Sequence, residues 1–447
     1  MPLNARSDWT LYGAVGALAL VAIGLVVLPI LLSRPASANV PFNPSAPVVG
    51  PNQPGQPNQP GQPNDPGPLT SPPQFVAAGA RVTWYAAAAS VANSRFAWVE
   101  EPCTGSNWTD PKSGKCYRRT DESGEGQPTA SGDGLSQLDI LAVEGSNAVL
   151  QSNMYTFFRA KNILTWKPIG GASVSAIDVD GSWVHPARLA QIAQSGLGDL
   201  TVLRGQYHLG TQTYDALSVV SGLGTDTYAS YTYDLGSGLL LSANTSTAGI
   251  TSPLRAPGEG APTTNGQLTM VRFAGFRVRS LPGLTAAKPA WVTGNTQLIY
   301  QGTYNFTNPV DPSTANLTYP TEIAVQLGRG GANWSSFSLT QNTPNLGVSN
   351  QSQGVTGPTG IYWYDSAALA AMSAGQVLDQ DPLTGEQVTV SSVGQGAGGS
   401  PVVVIDTQLP GNFLRAIYEQ SSGMLVEFTL QQASSGETTS VRLIQNR

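Results

Sequence analysis

TYDLGSGLLLS at 232–242 and IYEQSSGMLVE at 417–427 are two versions of one hairpin. In each, a strand ends on Tyr plus an acid (Tyr233-Asp234, Tyr418-Glu419), a turn carries Ser-Gly (Ser237-Gly238, Ser422-Gly423), and an apolar strand begins. Gly supplies the positive φ that such a turn can require, and the acid can accept hydrogen bonds from turn amides. The two acids are therefore read as structural rather than catalytic.

Two short helices precede the hairpins at matching places. PARLAQIAQSG, 186–196, has Pro186 at a helix start and Gly196 at its stop; DSAALAAMSAG, 365–375, has Asp365 as N-cap and Gly375 as stop. Trp183, Ala187, Leu189 and Ala190 align with Trp363, Ala367, Leu369 and Ala370 at an offset of 180 positions, whereas the hairpins align at 185. Upstream, LDILAVEG at 138–145 corresponds to TEIAVQLG at 321–328, and RVTWYA at 81–86 to QLIYQG at 297–302. The first copy then carries an insertion that holds both cysteines and the Gly-rich acidic stretch 121–134. Short runs of β-branched and aromatic residues split by Gly, Asn and Ser read as strands. The expected fold class is mainly β, a β-rich α+β chain. It has two duplicated antiparallel-sheet domains, 74–288 and 289–447, each with a short helix. The alternative is one continuous sheet built from both copies.

The hairpin form, Tyr-acid-x-x-Ser-Gly followed by an apolar strand, resembles hairpins of envelope lipid- or lipoprotein-carrier proteins. That resemblance implies a half-barrel sheet whose helices cover an apolar cavity. It spans only the hairpin in each copy, and no site residue is carried over from it. The chain departs from the lipoprotein version of that family because no cysteine follows its apolar N-terminal run.

That run, LYGAVGALALVAIGLVVLPILL at 11–32, lies in a stretch without charge between Asp8 and Arg34. A helix over it is roughly 33 Å long, enough for the hydrocarbon core of a bilayer. It reads as a transmembrane anchor. Residues 1–10 form a short cytoplasmic N-terminus, and the rest of the chain is extracytoplasmic. The competing reading is a secretory signal cleaved after Ala36-Ser37-Ala38, although the apolar run exceeds the usual signal length. Residues 33–73 form a Pro/Gln/Asn/Gly-rich linker, with PNQPGQ repeated at 51–56 and 57–62. Proline at this density prevents a backbone ladder and favours an extended tether.

The 447 residues carry a formal net charge of −6 and only 11% charged side chains, which leaves no electrostatic footprint for nucleic acid. Cys103 and Cys116 are spaced to close a disulfide loop, which implies an oxidising compartment. Of the two histidines, His185 precedes a helix and His208 lies on a strand; sequence supplies neither with a nucleophile or an orienting partner. No HExxH, P-loop, GxGxxG or GxSxG pattern is present. Glu100-Glu101, Asp178 with Asp180, and Asp379 with Asp381 are candidate carboxylate pairs for glycoside hydrolysis, each read first as a solvated turn. Tyr362, Trp363, Tyr364 and Trp334 are candidate ligand-contact aromatics, with core packing as the alternative. No catalytic residue, cofactor or metal is assigned. The expected role is non-catalytic binding or scaffolding in the cell envelope. The expected partners are the membrane through residues 11–32, envelope proteins, and a lipid or glycan. The alternatives are an apolar-ligand carrier and an envelope glycan hydrolase.

Overall fold

The computed structural model describes residues 69 and 71–446, except 93–95, 104–107, 110–114, 122–128, 159–162, 180, 199, 222–227, 247–264, 308–315, 347, 397 and 433–435. The apolar run 11–32 and most of the linker lie outside the described residues. Among the residues described, no helix is long and apolar enough to cross a membrane.

The chain is mainly β, built on two large antiparallel sheets. The first contains β1 (Ala80–Ala92), β5 (Thr129–Glu144), β6 (Asn147–Phe158), β7 (Ile163–Ser175), β8 (Thr201–Leu209), β9 (Gln212–Ser221), β10 (Tyr228–Asp234), β11 (Leu240–Ser246) and β12 (Asn265–Val278). Its spatial order is β7-β6-β5-β1-β12-β11-β10-β9-β8. The first strand therefore lies beside the last. The chain builds outward to β7, crosses to the far edge at β8, and returns strand by strand to close on β1.

The second sheet follows the same route. Its strands are β13 (Gln297–Phe306), β14 (Leu317–Leu327), β15 (Ser335–Thr343), β16 (Val348–Thr356), β17 (Val377–Gln380), β18 (Gln387–Gln395), β19 (Pro401–Leu409), β20 (Asn412–Glu419), β21 (Leu425–Gln432) and β22 (Glu437–Asn446). The order is β16-β15-β14-β13-β22-β21-β20-β19-β18-β17. It matches the first sheet strand for strand, with β17 added outside β18. The segments aligned by sequence, 81–86 with 297–302 and 138–145 with 321–328, fall on equivalent strands. The insertion in the first copy forms a small sheet of β2 (Phe96–Glu101), β3 (Trp108–Thr109) and β4 (Cys116–Asp121), where Cys103 and Cys116 are disulfide-bonded.

Each crossing segment carries a helix that covers one face of its sheet. Helix α1 (Pro186–Ser195) buries Leu189 and Ile192 against a core that includes Val82, Ile140, Leu217 and Leu241. Helix α2 (Ser366–Ala370) buries Leu369 in the equivalent core of the second half. His185 and Asp365 cap them in the same way: His185 Nδ1 accepts from the Ala187 amide, and the Asp365 carboxylate accepts from the Ala368 amide. Gly196 closes α1 with φ 75°. The second helix is shorter than its sequence reading: it ends at Ala370, and the Ala371 cap donates its N–H to Ala368 O in a tightened last turn. Gly375, at φ 82°, closes the following turn and donates its N–H to Val390 O.

The repeated hairpin is where crossing segment and sheet are joined. The Gly238 carbonyl accepts from the Val184 amide, and the Gly423 carbonyl accepts from the Tyr364 amide. Trp183 bridges Leu239, and Trp363 bridges Met424. Both Trp side chains are fully buried. Inside the turns Asp234 accepts from the Ser237 amide at 2.8 Å and its hydroxyl at 2.6 Å, while Glu419 accepts from the Ser422 hydroxyl at 2.6 Å. Each acid thus accepts hydrogen bonds inside its own turn.

Gly238 and Gly423 have φ of 84° and 69°, and a Cβ on either would overlap the carbonyl oxygen of Val184 or Tyr364. Gly238→Ala and Gly423→Ala are each expected to destabilise the protein by about 2–4 kcal/mol, from the left-handed backbone plus the overlap. Gly210→Ala, at φ 58° but with nothing near its Cβ, is expected to cost only about 1 kcal/mol. Urea unfolding midpoints compare them, and equal losses at all three would show that the strand-to-hairpin contact contributes nothing. The Trp183 indole donates to Ala176 O at 3.0 Å, whereas the Trp363 indole N–H is buried without a partner. Trp183→Phe should therefore lower the unfolding midpoint more than Trp363→Phe, by about 1 kcal/mol.

Candidate functional site between the sheets

Arg81 opens an apolar strand between Ala80 and Val82, and only 2% of its side chain is exposed. A buried guanidinium needs carboxylates, because nothing else in an apolar interior replaces its hydration. Register supplies the first: Arg81 sits directly across from Asp139 on β5, and Nε and Nη2 donate to its two oxygens at 2.6 and 2.8 Å. On the other side Arg81 faces Arg277 of β12. Two like charges thus lie side by side, with Arg279 just beyond the strand.

The second half compensates them. Strand β17 carries Asp379, and the turn from it to β18 carries Asp381 and Glu386, toward the first sheet. Asp379 takes Arg277 through two bonds of 2.8 and 2.6 Å and Arg279 at 3.2 Å. Asp381 accepts from Arg81 Nη1 at 3.0 Å and from Gln137 Nε2 at 2.8 Å. Glu386 receives Arg81 Nη1 on one oxygen and Arg279 at 3.3 Å on the other. Three guanidinium groups and four carboxylates form one network, and three of those carboxylates come from the β17–β18 hairpin, one from the strand and two from its turn.

Burial alone would push the Asp139 carboxyl up, but Arg81 and Arg279 more than offset it and hold it below its ordinary value. The same balance lowers Asp381 through Arg81, and holds Asp379 well below the carboxylate range through Arg277 and the Ser280 amide. Burial pushes the Arg81 guanidinium down, but Asp139 and Glu386 raise it further than burial lowers it. Tyr155 is pushed up by burial and by Glu386, so it stays a phenol and donates to Glu386 at 3.4 Å.

A cavity of about 120 Å³ lies beside the network. Its polar end is Arg81, Asp139, Arg279 and Glu386; Tyr155 and Trp166 approach from the first sheet, and Ile405, Leu414 and Tyr418 from the second. A side-chain strut crosses next to it: Asn153 donates to Asp139 at 3.4 Å and accepts from the Trp166 indole at 3.2 Å, and Asn412 donates to Trp166 O at 2.8 Å. The volume equals about four waters, well under the roughly 300 Å³ at which small-molecule pockets begin.

The residues singled out from sequence fall elsewhere or serve other purposes. Tyr362, Trp363 and Tyr364 are 4%, 0% and 3% exposed, so they are core rather than a surface for a ligand. They belong to the core of the second half, where Tyr362 meets Phe337 and Tyr364 meets Tyr418. Only Tyr364 reaches the cavity. Trp334 packs on Leu141, Ala142, Val149 and Val355, at a junction of the two halves. Asp379 and Asp381 are not in a solvated turn: they are 2% and 1% exposed and are consumed by arginines. Asp178 accepts from the His185 amide at 2.7 Å and pairs with Arg188, which braces the start of α1. Asp180 and the side chains of Glu100 and Glu101 lie outside the described residues. His208 is exposed and shares a hydrogen bond with Thr213. Among the described residues no His, Cys, Asp and Glu group could hold a metal ion.

Sequence reasoning passed over Arg81, Asp139, Arg277, Arg279 and Glu386. One signal was present: the step in repeat offset from 180 to 185 falls between the helix and the hairpin, where the second copy gains β17 and its acidic turn. The chain matches no protein-family model and no curated protein sequence.

Arg81→Met would leave three buried carboxylates short of a partner and is expected to destabilise by about 3–5 kcal/mol, read as a loss in urea midpoint. The folded values of Asp139, Asp379 and Asp381 lie below their unfolded ones, so the contribution of these three is complete above about pH 4. It is lost as pH falls through the folded values. Stability from the network should hold flat from pH 7 to about 5 and fall below about 4; a decline that begins near pH 6 would contradict the assignment.

Proposed function

We propose that this chain is a single-pass, membrane-anchored extracytoplasmic protein with a non-catalytic binding or scaffolding role in the cell envelope, as a subunit of a membrane or surface assembly. In this reading residues 1–10 are cytoplasmic, 11–32 span the bilayer, and 33–73 hold the β-rich body away from it. Two domains, 74–288 and 289–447, descend from one duplicated unit. The shared strand order, the helix at the same crossing and the same Gly-centred hairpin support the duplication. The disulfide supports an oxidising compartment.

The observation that carries the non-catalytic role is the use made of the acids. The described carboxylates that sequence offered for hydrolysis are tied to arginines or to backbone amides, in positions that join the halves or brace a helix. A body interlocked in this way suits a rigid surface presented to other proteins.

Mass spectrometry of the protein extracted gently from its membrane, first intact and then denatured, tests this. The expected result is a chain that keeps residues 11–32, carries the Cys103–Cys116 bridge, releases no lipid, and travels with protein subunits. A lipid set free on denaturation would replace scaffold by carrier, and a chain that starts after Ala38 would remove the anchor. Protease added to intact cells should digest the β-rich body; its protection would reverse the topology.

A further inference from the structure

The two sheets have four ends. Two of them, β7 and β16, run against one another, with Gly171 close on Val355. The third is β17, a four-residue strand held by the arginine network. The fourth is β8, and among the described residues no strand lies outside it. The equivalent strand of the second half, β18, is covered by β17, which pairs antiparallel with its first residues. The same position in the first half therefore has an open row of backbone donors and acceptors where the second half has a strand.

Of the features that usually guard an edge, β8 has one exposed charge, Arg204, and lacks the others. TVLRGQYHL contains no Pro and no Lys, and pairs with β9 through all nine residues without a bulge. Residues 203–206 are exposed, and Leu203 presents an apolar side chain that is 55% accessible.

We propose that β8 is the seam of a symmetric dimer, in which two copies of this chain pair their β8 strands antiparallel about Gly205. The sequence is self-complementary in that register. Leu203 falls opposite Tyr207 of the second copy, Arg204 opposite Gln206, Val202 opposite His208, and Thr201 opposite Leu209. No like charges meet, and the exposed leucine is covered by an aromatic ring, a favourable cross-strand pair. Gly205 on the axis has no atom within 4 Å of its would-be Cβ, so the sheet face is clear at the axis. The pairing would continue the first sheet across both copies, as strand addition does at other open edges. A shift by one residue would turn every side chain to the opposite face, which makes the register testable. This dimer is independent of what the envelope body binds.

Sedimentation of the full chain in detergent micelles, over a range of concentrations, is the first test. The wild type should pass from one copy to two as concentration rises, and a chain that stays single throughout overturns the proposal. Gln206→Arg places an arginine opposite Arg204 twice per dimer and should weaken association about tenfold. Adding Arg204→Glu in the same chain should restore it. Dimers indifferent to both changes would lie elsewhere and would overturn the seam. Gly205→Cys gives an assay that does not depend on those variants: the two introduced thiols should join the copies under mild oxidation far faster than those of Thr201→Cys. Equal rates at the two positions would overturn the register.

Discussion

A guanidinium with almost no access to water dictates how the halves of this protein meet. Arg81 lies on a central strand of the first sheet, beside Arg277, and the first sheet offers it only Asp139 in register. The deficit is met from the other half, by the β17–β18 hairpin, which carries Asp379, Asp381 and Glu386. Buried ion pairs contribute little net stability over apolar packing of the same volume, because desolvation cancels most of the attraction. Removing one member is another matter, since it strands the rest in a medium that cannot solvate them. The network therefore acts less as glue than as a key. The β17–β18 turn fits only where three arginines await it.

That key also explains the one topological difference between the sheets. Both follow the same route, from a central strand outward, across by way of a helix, and back to the centre. In each, a buried Trp and a Gly-centred hairpin tie the crossing segment to the sheet. Only the second copy inserts a strand and an acidic turn between helix and returning strand. The insertion serves the junction, and at the same time covers an edge that the first copy leaves open. The difference at this one connection gives the two halves different edges: the second ends on β17, held by the arginines of the first, and among the described residues no strand lies outside β8 in the first.

The cavity beside the network follows from the same arrangement. Tyr155 and Trp166 reach from the first sheet toward Ile405, Leu414 and Tyr418 on the second, and the Asn153–Trp166–Asn412 strut holds the separation. Polar groups concentrate at one end because the arginines are there, and apolar ones elsewhere because both faces are core. What remains between them is a gap the size of a few waters.

Periodicity and turn chemistry are local, and they were legible in the chain alone. Tyr-acid-x-x-Ser-Gly marked both hairpins because a positive φ and a carboxylate acceptor are needed within a few residues of each other. Pro186, Gly196 and Asp365 marked helix ends for the same reason, and Cys103 and Cys116 were close enough in sequence to pair. The repeat offset ordered these pieces into two copies. Burial of charge was not legible, because it depends on residues hundreds of positions apart. Asp379 and Asp381 look like a solvated turn until Arg81, Arg277 and Arg279 are brought beside them, and Tyr362–Trp363–Tyr364 look like a surface until they are packed on the sheet of their own half. Which strands lie next to each other is set by local pattern; which faces see water is decided only when two sheets, each half exposed alone, are packed together.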